Sequence, residues 1–145
     1  MRDEVQRESD RALVRRAIEA RRFAWAPYSG FAVGAALLCA DGTIFSGCNI
    51  ENAAFSPSNC AERTAFFKAV SEGHRDFSAI AIVGGKVSTP ESDLMPCPPC
   101  GVCRQVMSEF CRSGDFRILV ASGEENYQVY LLEELLPQSF GADLV

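Results

Sequence analysis

Two short segments, CAER at residues 60–63 and PCGVCRQ at residues 99–105, carry the side chains best suited to chemistry. They supply three thiols and one carboxyl group: Cys60, Glu62, Cys100 and Cys103. Three thiolates form a ligand set that zinc accepts, and three protein ligands leave the fourth zinc position open for water, as in catalytic sites. Water bound in this way ionises near pH 7. The two segments therefore predict a metal centre with a proton-transfer group beside it.

Cys97 makes the ligand assignment ambiguous, because it stands three residues before Cys100, just as Cys103 stands three residues after it. The two residues between Cys97 and Cys100 are prolines, which favour extended backbone, and residues three apart in extended backbone do not share a helical face. The glycine and valine between Cys100 and Cys103 permit a helical turn that puts both thiols on one face. We therefore predict Cys100 and Cys103 as ligands. The alternative is that Cys97 binds the metal and Cys103 belongs to the core.

Glu62 and Arg63 each admit two interpretations. If Cys60 occupies the cap of a helix, Glu62 can face the same pocket; otherwise it is a surface carboxylate stabilised by the helix dipole. Arg63 can hydrogen-bond the Cys60 thiolate and offset part of the negative charge around the zinc, or it can form an exposed ion pair. We expect no role for His74, the one histidine, which follows a predicted helix end.

The composition favours a small substrate and one domain. The chain has 145 residues, of which 48% are hydrophobic, and this is enough for one core, so we expect residues 1–145 to form a single domain. Its net charge is −5. A protein that binds several phosphates needs a basic stripe, and none is visible, so neither nucleic acid nor a multiply phosphorylated substrate is expected.

The cysteine count and the terminal segment bear on the cellular compartment. Seven cysteines is an odd number, and four of them lie in or near the two segments, which favours metal binding in a reducing compartment. No apolar run approaches the roughly 20 residues of a membrane span. The charged segment MRDEVQRESDRALVRR lacks the apolar core of a secretion signal. We therefore expect a cytoplasmic protein without a membrane partner.

Hydrophobic periodicity predicts the elements that position these side chains. Each cysteine segment opens an amphipathic run, so we predict helices over about residues 60–73 and 100–111, with an earlier helix over about residues 10–25. A helix N-terminus carries partial positive charge, which favours thiolate over thiol. Alternating or continuous apolar residues predict five strands, at residues 31–39, 43–48, 78–83, 116–121 and 127–132.

The connections between these strands predict the topology. Asp41-Gly42 forms a tight hairpin turn between the first two strands. Residues 122–126 separate the last two strands, which is too short for a parallel crossover, so this pair should be antiparallel. The expected fold class is α/β: a three-layer α/β/α sandwich around a mixed five-stranded sheet.

The two cysteine segments, together with Asn49-Ile50-Glu51-Asn52-Ala53, resemble the short, homotetrameric, zinc-dependent cytidine deaminases of pyrimidine salvage. The resemblance extends from about Pro27 to Phe140. It implies the cytidine deaminase-like fold and the hydrolysis of cytidine and 2′-deoxycytidine to uridine and 2′-deoxyuridine, with release of ammonia. In such enzymes a zinc-held hydroxide attacks C4 of the base, and a glutamate that is not a ligand moves the protons.

The resemblance also implies a role for individual residues. Zinc, one ion per subunit, would be bound by Cys60, Cys100 and Cys103, with Glu62 as the proton shuttle. Arg63 stands next to these residues and keeps the supporting role described above.

Five further positions match residues of the family that contact the substrate. Asn49 and Glu51 match a pair that holds the ribose 3′-hydroxyl. Phe31 matches an aromatic side chain that lies against the base, and the backbone at Ala61 matches another base contact. Phe140 matches an aromatic side chain that reaches into a neighbouring subunit's site. The resemblance therefore implies a homotetramer whose active sites are completed by neighbouring subunits.

Three positions depart from the family pattern. Phe55 stands where the family usually has a tyrosine near the ribose 5′ end, and phenylalanine has no hydroxyl group with which to contact the 5′-hydroxyl. Trp25 replaces another usual tyrosine. The segment 84–98 is longer than typical and carries Cys97, which can reshape the rim of the site.

Three other interpretations fit part of the sequence. One is an aminohydrolase for a different pyrimidine nucleoside, such as a cytosine-based antibiotic. Another is a structural zinc module without catalysis, which predicts a closed site with Cys97 or His74 as the fourth ligand. A third is a polynucleotide deaminase, which the acidic charge and the short final hairpin disfavour.

Overall fold

A five-stranded mixed sheet forms the middle layer of the structure, a computed structural model that describes residues 2–145. The strands are β1 (Phe31–Cys39), β2 (Ile44–Cys48), β3 (Phe77–Lys86), β4 (Arg117–Gly123) and β5 (Asn126–Leu131). Their order across the sheet is β2-β1-β3-β4-β5. Strands β3 and β4 are parallel, and the other neighbouring pairs are antiparallel. The predicted mixed sheet and antiparallel final hairpin are confirmed. Met1, where the predicted domain begins, lies outside the described residues.

Helices cover both faces of this sheet. They are α1 (Arg2–Arg21), α2 (Ala61–Ser71), α3 (Gly101–Phe110) and the short α4 (Leu132–Leu135). On one face, Val14 and Ala17 of α1 are fully buried in a core shared with β1, β3 and β4. On the other face, Phe66 of α2 and Met107 of α3 are fully buried in a second core. The predicted three-layer α/β/α arrangement is confirmed.

Several element boundaries differ from the predicted ones: α1, for example, ends at Arg21 and not near residue 25. Three of the differences have a structural reason. Helix α1 begins before residue 10, because its first turns are charged and mostly exposed and carry no apolar period that a sequence pattern could detect. Strand β3 continues through Gly84 and Gly85, which pair with Val33 and Ala32 of β1 although glycine is disfavoured in strands. The predicted fifth strand ends one residue early, because α4 begins at Leu132.

Gly47 of β2 brings α2 close to the sheet. A Cβ added at this glycine would lie 2.6 Å from both the Ala61 carbonyl oxygen and the Ala65 nitrogen. Because glycine has no side chain, the first turn of α2 can lie directly on β2. This contact fixes the position of Cys60, the residue that precedes the helix. Among residues 2–145, no helix combines the length and the apolar character needed to cross a membrane.

Candidate active site

Cys60 and Cys100 each occupy the N-cap position of a helix. Their backbones are extended, with φ −76° and ψ 157° at Cys60 and φ −69° and ψ 167° at Cys100. Their carbonyl groups accept the first helical hydrogen bonds, from the N–H groups of Thr64 and Arg104, both at 3.0 Å. Neither cysteine side chain caps its own helix, so both thiols are available to a ligand. The two N-termini therefore converge with their unpaired N–H groups directed towards one site.

Three thiols meet where these helices begin. The Sγ atoms of Cys60 and Cys100 are 3.7 Å apart, and those of Cys100 and Cys103 are 3.5 Å apart. All three lie within 4.8 Å of one another. Tetrahedral zinc with Zn–S bonds of about 2.3 Å separates its sulfur ligands by about 3.8 Å, so the donor set fits this ion. Cys97 is not part of the group, and within residues 2–145 no fourth His, Cys, Asp or Glu joins it.

Arg63 stabilises negative charge at this cluster. Its Nη2 atom donates a hydrogen bond to the Cys60 Sγ at 3.2 Å. The pKa of Cys60 is lowered, first by the neighbouring Cys103 thiol and also by Arg63. The buried Nε of Arg63 has no hydrogen-bond partner among the described residues, so this guanidinium keeps one donor for a ligand. The alternative of an exposed ion pair for Arg63 is wrong.

Glu62 is buried beside the thiols. Only 4% of its surface is exposed, which rules out the surface carboxylate considered from the sequence. Burial raises its pKa to about 7, and the nearby charge of Cys60 acts in the same direction. A carboxyl group with a pKa near the working pH can both accept and release a proton during a reaction.

A cavity of about 490 Å³ connects the thiols to the remaining predicted residues. Eight of the predicted site residues line it: Phe31, Asn49, Glu51, Cys60, Ala61, Glu62, Arg63 and Cys100. Cys103 lies behind the cavity wall and is 1% exposed. Phe140 does not line this cavity, and its side chain is exposed. The structure therefore brings all the predicted site residues together except Phe140, whose role in a neighbouring subunit stays a prediction.

Glu51, which lines the cavity, is held as a carboxylate. Its Oε1 accepts hydrogen bonds from the N–H groups of Tyr28 at 2.9 Å and Ser29 at 3.0 Å. Its Oε2 accepts a further hydrogen bond from the Ser29 hydroxyl. These contacts lower the pKa of Glu51, with the Ser29 hydroxyl as the largest cause. The charged form is thereby oriented and keeps lone pairs for a hydroxyl group in the cavity.

Asn49 links the same region to β1. Its Oδ1 accepts from the Val33 N–H at 2.8 Å, and its Nδ2 donates to the Phe31 carbonyl at 2.7 Å. The side-chain amide retains one acceptor lone pair and one N–H. Its orientation is fixed by β1, and the same contacts secure the backbone of Phe31 at the rim.

Sequence reasoning missed two contributors to the site. Ser29 orients Glu51, but it stands in the Pro-Tyr-Ser-Gly segment after the first predicted helix, where the residue types indicate only a turn. Gly84 gives room to Cys97 and Phe31: a Cβ there would lie 2.8 Å from the Cys97 Sγ and 3.1 Å from the Phe31 Cε1. Cys97, which the sequence placed near the rim, does line the cavity and is not in the thiol cluster. The sequence did contain a signal for Gly84: the pair Gly84-Gly85 directly follows an apolar run, and glycines in a strand often mark a place where another segment packs closely against the backbone.

Comparison with known proteins agrees with this geometry. Residues 7–117 match the family model of the cytidine and deoxycytidylate deaminase zinc-binding region. The chain belongs to this deaminase family. Membership confirms the predicted resemblance, the zinc cofactor and the class of zinc-dependent deaminase.

Individual members of the deaminase family are similar along nearly the whole chain. The cytidine deaminase of Halalkalibacterium halodurans is 48% identical over 131 residues, which are 90% of this chain and 93% of that protein. A probable cytidine deaminase of Dictyostelium discoideum is 39% identical over 125 residues, or 85% of this chain and 78% of that protein. The crystal structure of cytidine deaminase from Burkholderia pseudomallei has 44% sequence identity and a TM-score of 0.79, covering 89% of this chain and 97% of that one. The fold and the deaminase family are therefore shown by independent comparisons.

Proposed function

We propose that this protein hydrolyses cytidine and 2′-deoxycytidine to uridine and 2′-deoxyuridine with release of ammonia. The observation that carries the proposal is one cavity that is lined by two thiols of the three-thiol cluster, by the buried Glu62 and by the anchored Glu51 carboxylate. A nucleoside has a base that must reach the reacting centre and a sugar whose hydroxyls need acceptors. The cavity offers groups for both ends of such a molecule.

The metal would be held by Cys60, Cys100 and Cys103. Their Sγ separations of 3.5 and 3.7 Å suit tetrahedral zinc, and the group contains three thiols, which leaves one coordination position for the reaction. Zinc bound there supplies Lewis-acid chemistry that makes water nucleophilic near neutral pH. Arg63 and the two helix N-termini offset the negative charge of the three thiolates, which would otherwise weaken this effect.

Glu62 would carry the protons. It accepts one from the attacking water as the C4–O bond forms, and it delivers this proton to ring N3. It then takes the second proton of that oxygen to the exocyclic amine, which leaves as ammonia when the C4–N bond breaks. The reaction consumes one water and leaves a carbonyl oxygen at C4. A carboxyl group with a pKa of about 7 is suited to both transfers, because neither protonation state is strongly favoured.

The remaining cavity residues would position the nucleoside. Phe31 offers an aromatic face to the base, and the backbone at Ala61 offers a polar contact. Asn49 and Glu51 have free hydrogen-bonding capacity for the ribose hydroxyls, and Glu51 is held in its charged form by Ser29. In this binding mode the reacting C4 would lie near Glu62 and the sugar near β1.

The predicted assembly supports the same activity. Phe140 is 58% exposed and lies outside its own chain's cavity, which suits an aromatic residue that completes a neighbouring subunit's site. We therefore propose a homotetramer of single-domain subunits with shared sites. A role in pyrimidine salvage and a cytoplasmic location stay predictions. A closed structural zinc site is disfavoured, since neither Cys97 nor His74 joins the three thiols.

The test compares the purified protein with Glu62→Gln. Loss of cytidine absorbance and stoichiometric ammonia are measured together, with bound zinc counted in both proteins. We expect Glu62→Gln to lose at least about 100-fold in kcat while it keeps its zinc, because a proton-transfer group contributes roughly 10²–10⁴-fold. The matched control is Glu72→Gln, which removes an exposed carboxylate beyond the other end of α2 and should leave kcat unchanged. Equal activity of Glu62→Gln and the wild type would refute the proposed mechanism.

A further inference from the structure

A second group of metal-binding side chains lies away from the cavity, beyond the C-terminal end of α2. It consists of the Sγ of Cys39, a carboxylate oxygen of Asp41 and a ring nitrogen of His74, all within 4.8 Å of one another. Cys39 ends β1, Asp41 stands in the turn to β2, and His74 follows α2 by three residues. Sequence reasoning expected no role for His74, because the residues that meet it are more than 30 positions away in the chain.

Each of the three side chains is held in place by the surrounding structure. Cys39 is 2% exposed and belongs to the core beneath α2. The Asp41 Oδ1 accepts a hydrogen bond from the Thr43 N–H at 3.0 Å, which leaves Oδ2 facing His74. The His74 ring packs edge to face against the Phe45 ring, with the ring centroids 4.9 Å apart. The backbone N–H of His74 donates a hydrogen bond to the Ala69 carbonyl oxygen at 3.0 Å. The three candidate ligand atoms therefore already lie close enough together to bind one ion without a large rearrangement of the chain.

The contact between the two polar side chains is incomplete. The Nδ1 of His74 lies 3.9 Å from the Asp41 Oδ2, which is beyond hydrogen-bond distance. Nitrogen and oxygen ligands of tetrahedral zinc lie about 3.3–3.6 Å apart, so a bound ion needs these two atoms to close by about half an ångström or less. Asp41 stands in an exposed turn, where such a shift costs little.

The electrostatic surroundings favour a cation. The Asp41 carboxylate belongs to the group, and the Asp76 carboxylate lies near enough to Cys39 to act on it electrostatically. Carboxylates attract a cation, and a bound divalent ion deprotonates a coordinating thiol. The group also lies near the C-terminal end of α2, where the helix dipole favours positive charge.

We propose that Cys39, Asp41 and His74 bind a second divalent ion of the zinc type. A thiolate, an imidazole and a carboxylate are the donors that zinc prefers, and magnesium and calcium take oxygen ligands instead. With three protein ligands and an exposed outer side at Asp41, water completes the coordination. The ion joins the β1–β2 turn to the C-terminal end of α2, the helix whose N-terminus follows Cys60. It is a stabilising site, independent of the deaminase reaction.

The test measures metal content in the holoenzyme. The purified protein is dialysed against a zinc buffer, and zinc per chain is determined by mass spectrometry for the wild type, His74→Gln, Asp41→Asn and Glu72→Gln. We expect a second equivalent of zinc per chain in the wild type and in the control Glu72→Gln, which removes a charge near His74 in the sequence but none of the three metal ligands. Both His74→Gln and Asp41→Asn should lose this equivalent, retain the first and keep their deaminase activity. A wild type that binds a single equivalent, or a His74→Gln that keeps two, overturns the proposal.

Cobalt tests the third donor without a substitution in the core. Co²⁺ is added to wild type and His74→Gln that each hold one equivalent of zinc per chain, and thiolate-to-metal charge-transfer absorption is recorded. We expect a new band with the second equivalent in the wild type and none in His74→Gln. Binding of a second equivalent without this band would exclude Cys39 and overturn the proposal. The melting temperature of the wild type should rise with the second equivalent, because the ion binds only the folded chain, and that of His74→Gln should not.

Discussion

The Arg63 Nη2 lies 3.2 Å from the Cys60 Sγ, so a residue in the first turn of α2 donates to the thiol at the cap of the same helix. The contact follows from helical geometry, since residues three apart lie on one face. It places a permanent positive charge beside the three-thiol cluster. The same guanidinium has a buried Nε without a hydrogen-bond partner among residues 2–145.

Replacement of Arg63 by glutamine should weaken both metal binding and turnover. Without the guanidinium the thiolates keep their full negative charge, which reduces the ability of zinc to activate water. We expect a loss of about 10–100-fold in kcat or in zinc affinity, the usual effect of removing a partner of a metal ligand. Chelator competition and steady-state kinetics separate the two effects. Arg112→Gln, which replaces an exposed arginine past the end of α3, is the matched control and should change neither quantity.

Gly84→Ala should distort the rim of the cavity. The new methyl group would lie 2.8 Å from the Cys97 Sγ and 3.1 Å from the Phe31 Cε1, both too close for carbon. We expect a raised KM for cytidine and a loss of about 1–3 kcal/mol in the free energy of unfolding, the typical cost of overpacking. Gly114→Ala is the control, because its methyl group meets only the Glu133 Oε2, at 3.6 Å.

The double variant Gly84→Ala/Cys97→Ala tests the cause of that effect. Removal of the sulfur relieves the shortest contact, so KM and stability should both recover in part. If the double variant is no better than Gly84→Ala alone, the Cys97 sulfur is not what requires glycine, because the alanine keeps the Cβ that lies 3.0 Å from the new methyl group.

Ser29→Ala should make substrate binding more sensitive to acid. The pKa of Glu51 lies below its ordinary value of 4.5, and the Ser29 hydroxyl is the largest cause. Because the pKa of Glu51 is lower in the folded protein, its carboxylate stabilises the fold at pH values above the ordinary pKa of 4.5. This stabilisation is lost as the pH falls through the lower pKa of the folded state, where Glu51 becomes protonated. Without the hydroxyl this pKa moves back up, so KM should begin to rise at a higher pH during acidification. KM measured from neutral pH down to about pH 4 checks this, since glutamate titrates near there.

The control for that profile is Ser71→Ala, whose hydroxyl bonds only to a backbone carbonyl in the last turn of α2. It should follow the wild-type KM profile at every pH. Identical profiles for Ser29→Ala and the wild type would mean that the Glu51 carboxylate does not bind the sugar.

Asp10→Ala should loosen α1 from the sheet. Asp10 is 4% exposed and forms two hydrogen bonds with the Arg117 guanidinium of β4, at 2.9 and 2.7 Å. The Arg117 side chain that loses its partner is 26% exposed, so water compensates part of its charge, and we expect a loss of about 2 kcal/mol in the free energy of unfolding. Urea denaturation measures it. Glu8→Ala breaks an exposed pair with Arg11 on the same helix and should cost less than about 1 kcal/mol, so equal losses would contradict the prediction.

The sequence predicted the elements that carry the strongest local signals. The cysteine segments mark two helix starts because an amphipathic run follows each, and both cysteines do occupy N-caps. The five strands and the antiparallel final pair followed from apolar runs and one short connection. The charged first turns of α1 and the glycine-containing end of β3 were missed, because the first has no apolar period and the second contains residues that usually interrupt strands.

By itself, the sequence determined the donor chemistry of this protein: the thiols, the single glutamate beside them and the helical turn that pairs Cys100 with Cys103. Those features depend on neighbours a few residues apart, where backbone geometry is nearly fixed. Only the tertiary structure decided that Glu62 is buried, that Ser29 anchors Glu51 and that His74 meets Cys39. Each of these joins residues that lie far apart in the chain or depends on how α2 packs against the sheet, and no local pattern encodes such contacts.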